Sequence, residues 1–154
     1  MMSIFSIDTE DLNLFDIDGT LAMRIATEAA TSQVANMQLR VSKGKGIKDS
    51  PMKKYSKAYA KKREAANKNT NKRDLVWTGQ MMRSISMQEV QIQVFEEGFG
   101  AVATIAPGGA FNRDKIAWNN ANSPFYGISP NDAAVLDAVA EITIDEYLRE
   151  QEEQ

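Results

Sequence analysis

The hydrophobic positions of this chain change period three times, and each change marks an element. From Thr20 the apolar residues Met23, Ala26, Ala30, Val34, Met37 and Val41 recur at spacings of three and four, which predicts a long helix over about 20–41. Asp18 or Thr20 is placed to cap its start. Residues 1–19 carry no such period and read as an irregular lead-in segment. Glu89–Phe95 alternates strictly, with Val90, Ile92 and Val94 on one side, as a half-buried strand does. Glu96-Glu97-Gly98 reads as a turn and Gly100–Ile105 as the returning strand of a hairpin, stopped by Pro107-Gly108-Gly109.

Helical spacing returns twice more. Asp114–Asn120 predicts a short helix carrying Ile116, Ala117 and Trp118. Ser129-Pro130-Asn131-Asp132 has a capping serine, a proline at the first helical position and an acid at the third. Leu136, Val139, Ala140, Thr143 and Tyr147 then line one face of a C-terminal helix, flanked by Val135 and Ile142, with a fraying tail at 150–154. Between the first helix and the hairpin, Leu75, Val76 and Trp77 enter a core. Thr78 caps a short helix with Met81, Met82 and Ile85 inward. Two long helices around a small antiparallel sheet give an α+β fold, a single domain over 1–154.

The intervening segment departs from this pattern. SKGKGIKDSP (42–51) reads as a linker, Lys53–Ala66 as a helix whose weak apolar face is Tyr55 and Tyr59, and NKNTNKR (67–73) as a polar loop. Residues 42–73 are therefore expected to be a basic, mobile excursion that buries too little to offset its own ordering entropy. Charge sharpens this view. Arg40–Asp74 holds 13 of the 18 Lys/Arg against three acids, whereas Asp132–Glu153 holds eight acids against Arg149. That division points to attraction towards nucleic acid or towards an acidic face on another copy, with Lys53, Lys54, Lys57, Lys61, Lys62 and Arg63 as the contact candidates.

Composition narrows the chemistry. Cysteine and histidine are absent from the 154 residues, which excludes disulfides, thiol nucleophiles, Cys/His zinc sites and histidine-based triads. No apolar run approaches the roughly 18 residues of a membrane helix, and Met1–Asp11 lacks the pattern of a secretory signal, so cytoplasmic synthesis is expected. Gly44-Lys45-Gly46 lacks the spacing of a phosphate loop. FDIDGTL (15–21) matches the first motif of haloacid-dehalogenase phosphatases, with Asp16 as nucleophile and Asp18 as acid/base beside a magnesium ion. It follows DTEDLN rather than a buried strand, and no later acidic pair completes a metal site. We read Asp16, Asp18, Gly19 and Thr20 as a turn and cap. Trp77 and Trp118 lie outside the basic segment and read as core anchors.

Three stretches in order resemble phage virion-morphogenesis proteins, the tail-completion or neck components of the head–tail connector: SPMKKYSKAY (50–59), LVWTGQMMRSI (75–85) and PFYGISPNDAAVL (124–136). The likeness runs over about 20–148, with Ser123-Pro124 standing where that family carries an arginine. It singles out Thr78, Gly79, Ser84, Ile85, Phe125, Tyr126, Gly127 and Asp132 as packing and turning residues, none of them chemical. The resemblance implies a non-enzymatic virion protein made in the host cytoplasm. Such a protein forms a homo-oligomeric ring, six- or twelvefold, between portal-side and tail proteins, with genomic DNA passing through it and no cofactor. The alternatives are a nucleic-acid-binding module using the basic 40–74 segment and, further off, the phosphatase.

Overall fold

The computed structural model describes residues 3–7, 19–76, 79–95 and 98–154, and side chains outside 1–18 and 94–99. In chain order it contains β1 (Ser3–Ile7), α1 (Gly19–Ser42), α2 (Lys57–Ala65), α3 (Gln80–Arg83), β2 (Ile85–Phe95), β3 (Gly98–Pro107), α4 (Ala110–Asn122) and α5 (Pro130–Glu152). The class is α+β, as the hydrophobic pattern predicts. The sheet is antiparallel throughout, in the order β1-β3-β2. Ser3–Ile7 is thus a strand on the sheet edge where the sequence reads as irregular, since five residues are too few for alternation to register. Asp16, Asp18, Trp77, Thr78, Glu96 and Glu97 lie outside the described residues. Thr20 sits inside α1 rather than at its cap.

A bulge explains the phase of β2. Its register slips between Met87 and Glu89, so inward-facing positions shift from Ile85 and Met87 to Val90 and Ile92, opposite Ile105, Ala103 and Ala101. Ile92, at the far end of this face, remains exposed. Buried Ala101 and Ala103 on β3 meet a helix that is equally small in side chain. Ala22, Ala26 and Ala30 of α1 are buried in the same cluster, so helix and sheet approach closely. Leu136, Ala140, Thr143 and Ile144 bury one face of α5, with Val139 and Tyr147 half-buried beside them. α5 packs along α1. The half-buried Arg24 of α1 bonds Glu150 (2.8 Å) and Glu146 (3.4 Å), and helical order runs past 150 to Glu152. These contacts lower the Glu150 pKa, chiefly through the hydrogen bond from Arg24.

Segment 42–73 has the largest departure from expectation. Gly44 adopts φ +74°, its N–H bonds Val41 O, and the Lys45 N–H reaches back to Arg40 O. This is a glycine-terminated Schellman cap rather than a flexible linker. The chain then folds into a tight loop. Gly46 N–H donates to Ser50 O, Met52 N–H to Gly44 O and Ile47 N–H to Pro124 O. Met52, Arg63 and Arg73 are buried, so the excursion has an interior of its own.

Gly46 is held where no side chain fits: a Cβ there would stand 2.6 Å from the Pro124 carbonyl oxygen. Gly46→Ala should therefore cost about 1–3 kcal/mol by forcing the backbone apart, measured by urea unfolding. Unchanged stability would mean that the 43–52 loop does not press on 124.

Candidate docking groove and its supports

Two buried arginines organise the molecule, and both arise in the basic segment. Arg40 lies on the inner face of α1. Its Nη1 donates to Phe125 O (3.0 Å), its Nη2 to Gly127 O (3.0 Å) and its Nε to Asp132 Oδ2 (3.2 Å). Gln33, also buried and about two turns earlier, donates to Gly127 O and to the same carboxylate oxygen. Asp132 additionally accepts from Ser129 N–H, while Ser129 Oγ accepts from Asp132 N–H, which completes the capping box expected at this position. A cation and an anion fully withdrawn from water are tolerable only with their hydrogen-bonding capacity met this well.

The neighbouring signature residues serve this junction. Phe125 is 0% exposed, and Tyr126 packs edge-on against it with its hydroxyl donating to Ile105 O (2.8 Å). Gly127 takes φ +143° with Ile47 3.0 Å from its missing Cβ, so glycine is required there on two counts. Asn120 fixes the loop by accepting from the N–H groups of Phe125 and Tyr126.

Arg63 is the second anchor. It was a candidate for contact with DNA, but it is only 1% exposed and faces inward. Its guanidinium lies 4.5 Å from the Tyr55 ring centroid and 5.9 Å from that of Tyr59, the i and i+4 partners on the same side of the chain. Nη2 donates to Asp74 Oδ1 (3.1 Å) and Nε to Asn69 O (2.8 Å). The Tyr55 hydroxyl accepts from Leu75 N–H (3.0 Å); burial, the leading influence, raises its pKa and keeps it protonated. Leu75 itself is held at φ +57°, a strained setting for a branched side chain.

Around this anchor opens a groove of about 910 Å³, between the 53–63 segment, the start of α3 and the outer face of α4. Lys53, Lys54, Lys57, Lys62 and Lys115 edge it, and among the described residues none in its lining is acidic. Four of the six contact candidates thus face one cavity; exposed Lys61 is not among its lining, and Arg63 forms part of the wall. Met81, Leu75 and the tyrosine rings supply an apolar floor. Gly79, at φ +80°, caps α3 and turns the chain at the groove's edge; Ser84 closes α3 with its hydroxyl on Met81 O, and Ile85 is buried beneath.

Two groove residues escape a reading by hydropathy. Trp118, expected in the core, is 65% exposed on the groove wall. The inward side of α4 belongs instead to Asn112 and Ile116, leaving Phe111, Lys115 and Trp118 along the outside at helical spacing. Arg73 is buried at the groove with Nε and Nη1 lacking any hydrogen-bond partner among the described residues, its guanidinium 5.1 Å from the Tyr55 ring. Comparison with protein-family models, with curated proteins and with solved structures finds no match to this chain. Among the described residues, no helix is long and apolar enough to cross a membrane.

Proposed function

We propose that this chain is a structural subunit of a tailed-phage neck, a non-enzymatic component of the connector ring that joins head to tail and surrounds the passing DNA. One observation carries the reading. The three stretches that resemble neck proteins, far apart in sequence, all feed one hydrophobic core: Met52, Met81, Ile85 and Phe125 belong to the same buried cluster, and Lys53 N–H donates to Ser123 Oγ, the residue just before the third stretch. The packing and turning residues Ile85 and Phe125 are buried inside the fold, and Gly79 turns the chain at the rim of the groove, which supports a role in shaping a surface rather than in chemistry. The homo-oligomeric ring, the virion location and the portal-side and tail neighbours follow from that resemblance.

The nucleic-acid reading retains one supporting observation, the lysines around the groove. It is weakened by the inward turn of Arg40, Arg63 and Arg73, which removes from phosphate contact the side chains best suited to it. The phosphatase reading needs a parallel sheet to present Asp16, whereas the described sheet is antiparallel.

In an infection lacking this protein, filled heads and separate tails should accumulate with few joined particles, counted by electron microscopy. Adding the purified protein to such an extract should restore joining. A block in capsid formation or genome replication, or an undiminished yield of infectious particles, would overturn the neck assignment.

A further inference from the structure

The groove carries an unmet electrostatic demand. Among the described residues Lys53, Lys54, Lys57 and Lys115 edge it with no carboxylate in the lining, and Arg73, also in the lining, has its buried Nε and Nη1 without a hydrogen-bond partner. An orphaned buried guanidinium is costly, and the cost is relieved when an anion arrives. The apolar floor and the exposed Trp118 demand in addition an apolar side chain among the anions.

The same chain carries a surface with that chemistry. On α5, Asp137, Glu141, Asp145, Leu148 and Glu152 follow at steps of four, four, three and four, which places them on one stripe of the helix. All five are exposed, Leu148 at 48%, and the four acids enter no ion pair among the described residues. The stripe lies away from the buried face formed by Leu136, Ala140, Thr143 and Ile144, so it is free while α5 remains packed on α1.

We propose that the groove receives the acidic stripe of α5 from a second copy of this chain, Leu148 resting on the floor beside Trp118 with the flanking carboxylates among Lys53, Lys57, Lys115 and Arg73. A nucleic-acid backbone satisfies the cations but brings no aliphatic side chain for the floor. Groove and stripe are different patches of one chain, so the contact is head-to-tail and propagates until it closes into a ring or continues as a filament. The inference rests on the neck reading only in supplying that reading's subunit contact.

The test is sedimentation velocity on the purified full chain at low and high salt. Wild-type protein should self-associate, and less so as salt rises. K53E/K57E/K115E and, separately, E141K/D145K/E152K should each weaken association at least tenfold while retaining the wild-type circular dichroism spectrum. Mixed together, the two variants should associate with each other. Leu148→Ala should weaken association without altering its salt dependence. A wild type that stays monomeric, reversed variants that associate normally, or a mixture that fails to associate would each overturn the proposal. So would a groove variant that loses duplex DNA binding while associating like wild type, which assigns the groove to nucleic acid. Reversed variants that still restore head–tail joining in the extract would sink this contact and leave the neck assignment standing.

Discussion

Replacing Asp132 by alanine should lower the folding free energy by about 3–5 kcal/mol, as large a loss as we expect from any single polar substitution in this chain. The change leaves the Arg40 guanidinium buried and charged with only carbonyl partners, and it removes the acid that Gln33 and the Ser129 N–H also address. Loss of the capping box adds to the cost at the start of α5. For a chain of this size the melting temperature should fall by roughly 2–4 °C per kcal/mol, so a drop of about 10 °C is expected. Asp132→Asn should recover part of the capping but not the pairing. Combining Asp132→Ala with Arg40→Met should cost much less than the two changes summed, because the double variant buries no unpaired charge. A melting temperature for Asp132→Ala within two degrees of wild type would show that the pair does not join α1 to α5.

Arg63→Ala should cost about 3–5 kcal/mol for a related reason, and Arg63→Lys should rescue little of it. Three groups use the planar guanidinium at once: the Tyr55 ring beneath it, Asn69 O at Nε and Asp74 at Nη2. An ammonium is a point donor and cannot stack while reaching both oxygens. Without Arg63, the Asp74 carboxylate and the 67–74 turn lose their anchor, and the groove loses its wall. Limited proteolysis should then cut between 53 and 73 in Arg63→Ala at protease levels that spare the wild type. Equal resistance of the two proteins would show that packing elsewhere, and not this arginine, orders the segment.

How far the chain could be read in advance depended on whether a residue's role follows its polarity. Both long helices and the hairpin were legible because Met37, Val41, Leu136 and Ala140 are apolar and buried at helical spacing, and Val90 and Ile92 alternate. The capping box was legible because Ser129, Pro130 and Asp132 interact locally. The junction and the groove were not, since their principal residues invert the usual rule. Arg40, Gln33, Arg63 and Arg73 are polar and buried, whereas Trp118 and Phe111 are aromatic and exposed. Counting Arg63 and Arg73 as surface charge left too little to bury in 42–73 and produced the expectation of a mobile excursion. A signal for Arg63 did exist: Tyr55, Tyr59 and Arg63 stand four apart, so two rings and a guanidinium share one side, with Asp74 following as a possible counter-ion. For Trp118 the signal was its spacing from Phe111 and Lys115, which draws an outward stripe as clearly as Ile116 marks the inward one.

The pairing of α1 with α5 also dictates when the fold can be completed. Arg40 meets Asp132 across 92 residues, Gln33 meets it across 99, and Arg24 meets Glu150 across 126. Contacts so distant in sequence demand that loop-closure entropy be overcome before they contribute anything, which slows folding. On the ribosome, α1 emerges long before its partner, so its alanine-lined face waits exposed through the synthesis of the entire hairpin. Gln33 and Arg40 break that face with polar groups that water can solvate in the interim, and they become buried only when the carboxylate of Asp132 arrives. These two polar side chains, costly to bury, thus keep a nascent helix from offering an unbroken apolar stripe to its neighbours on a polysome.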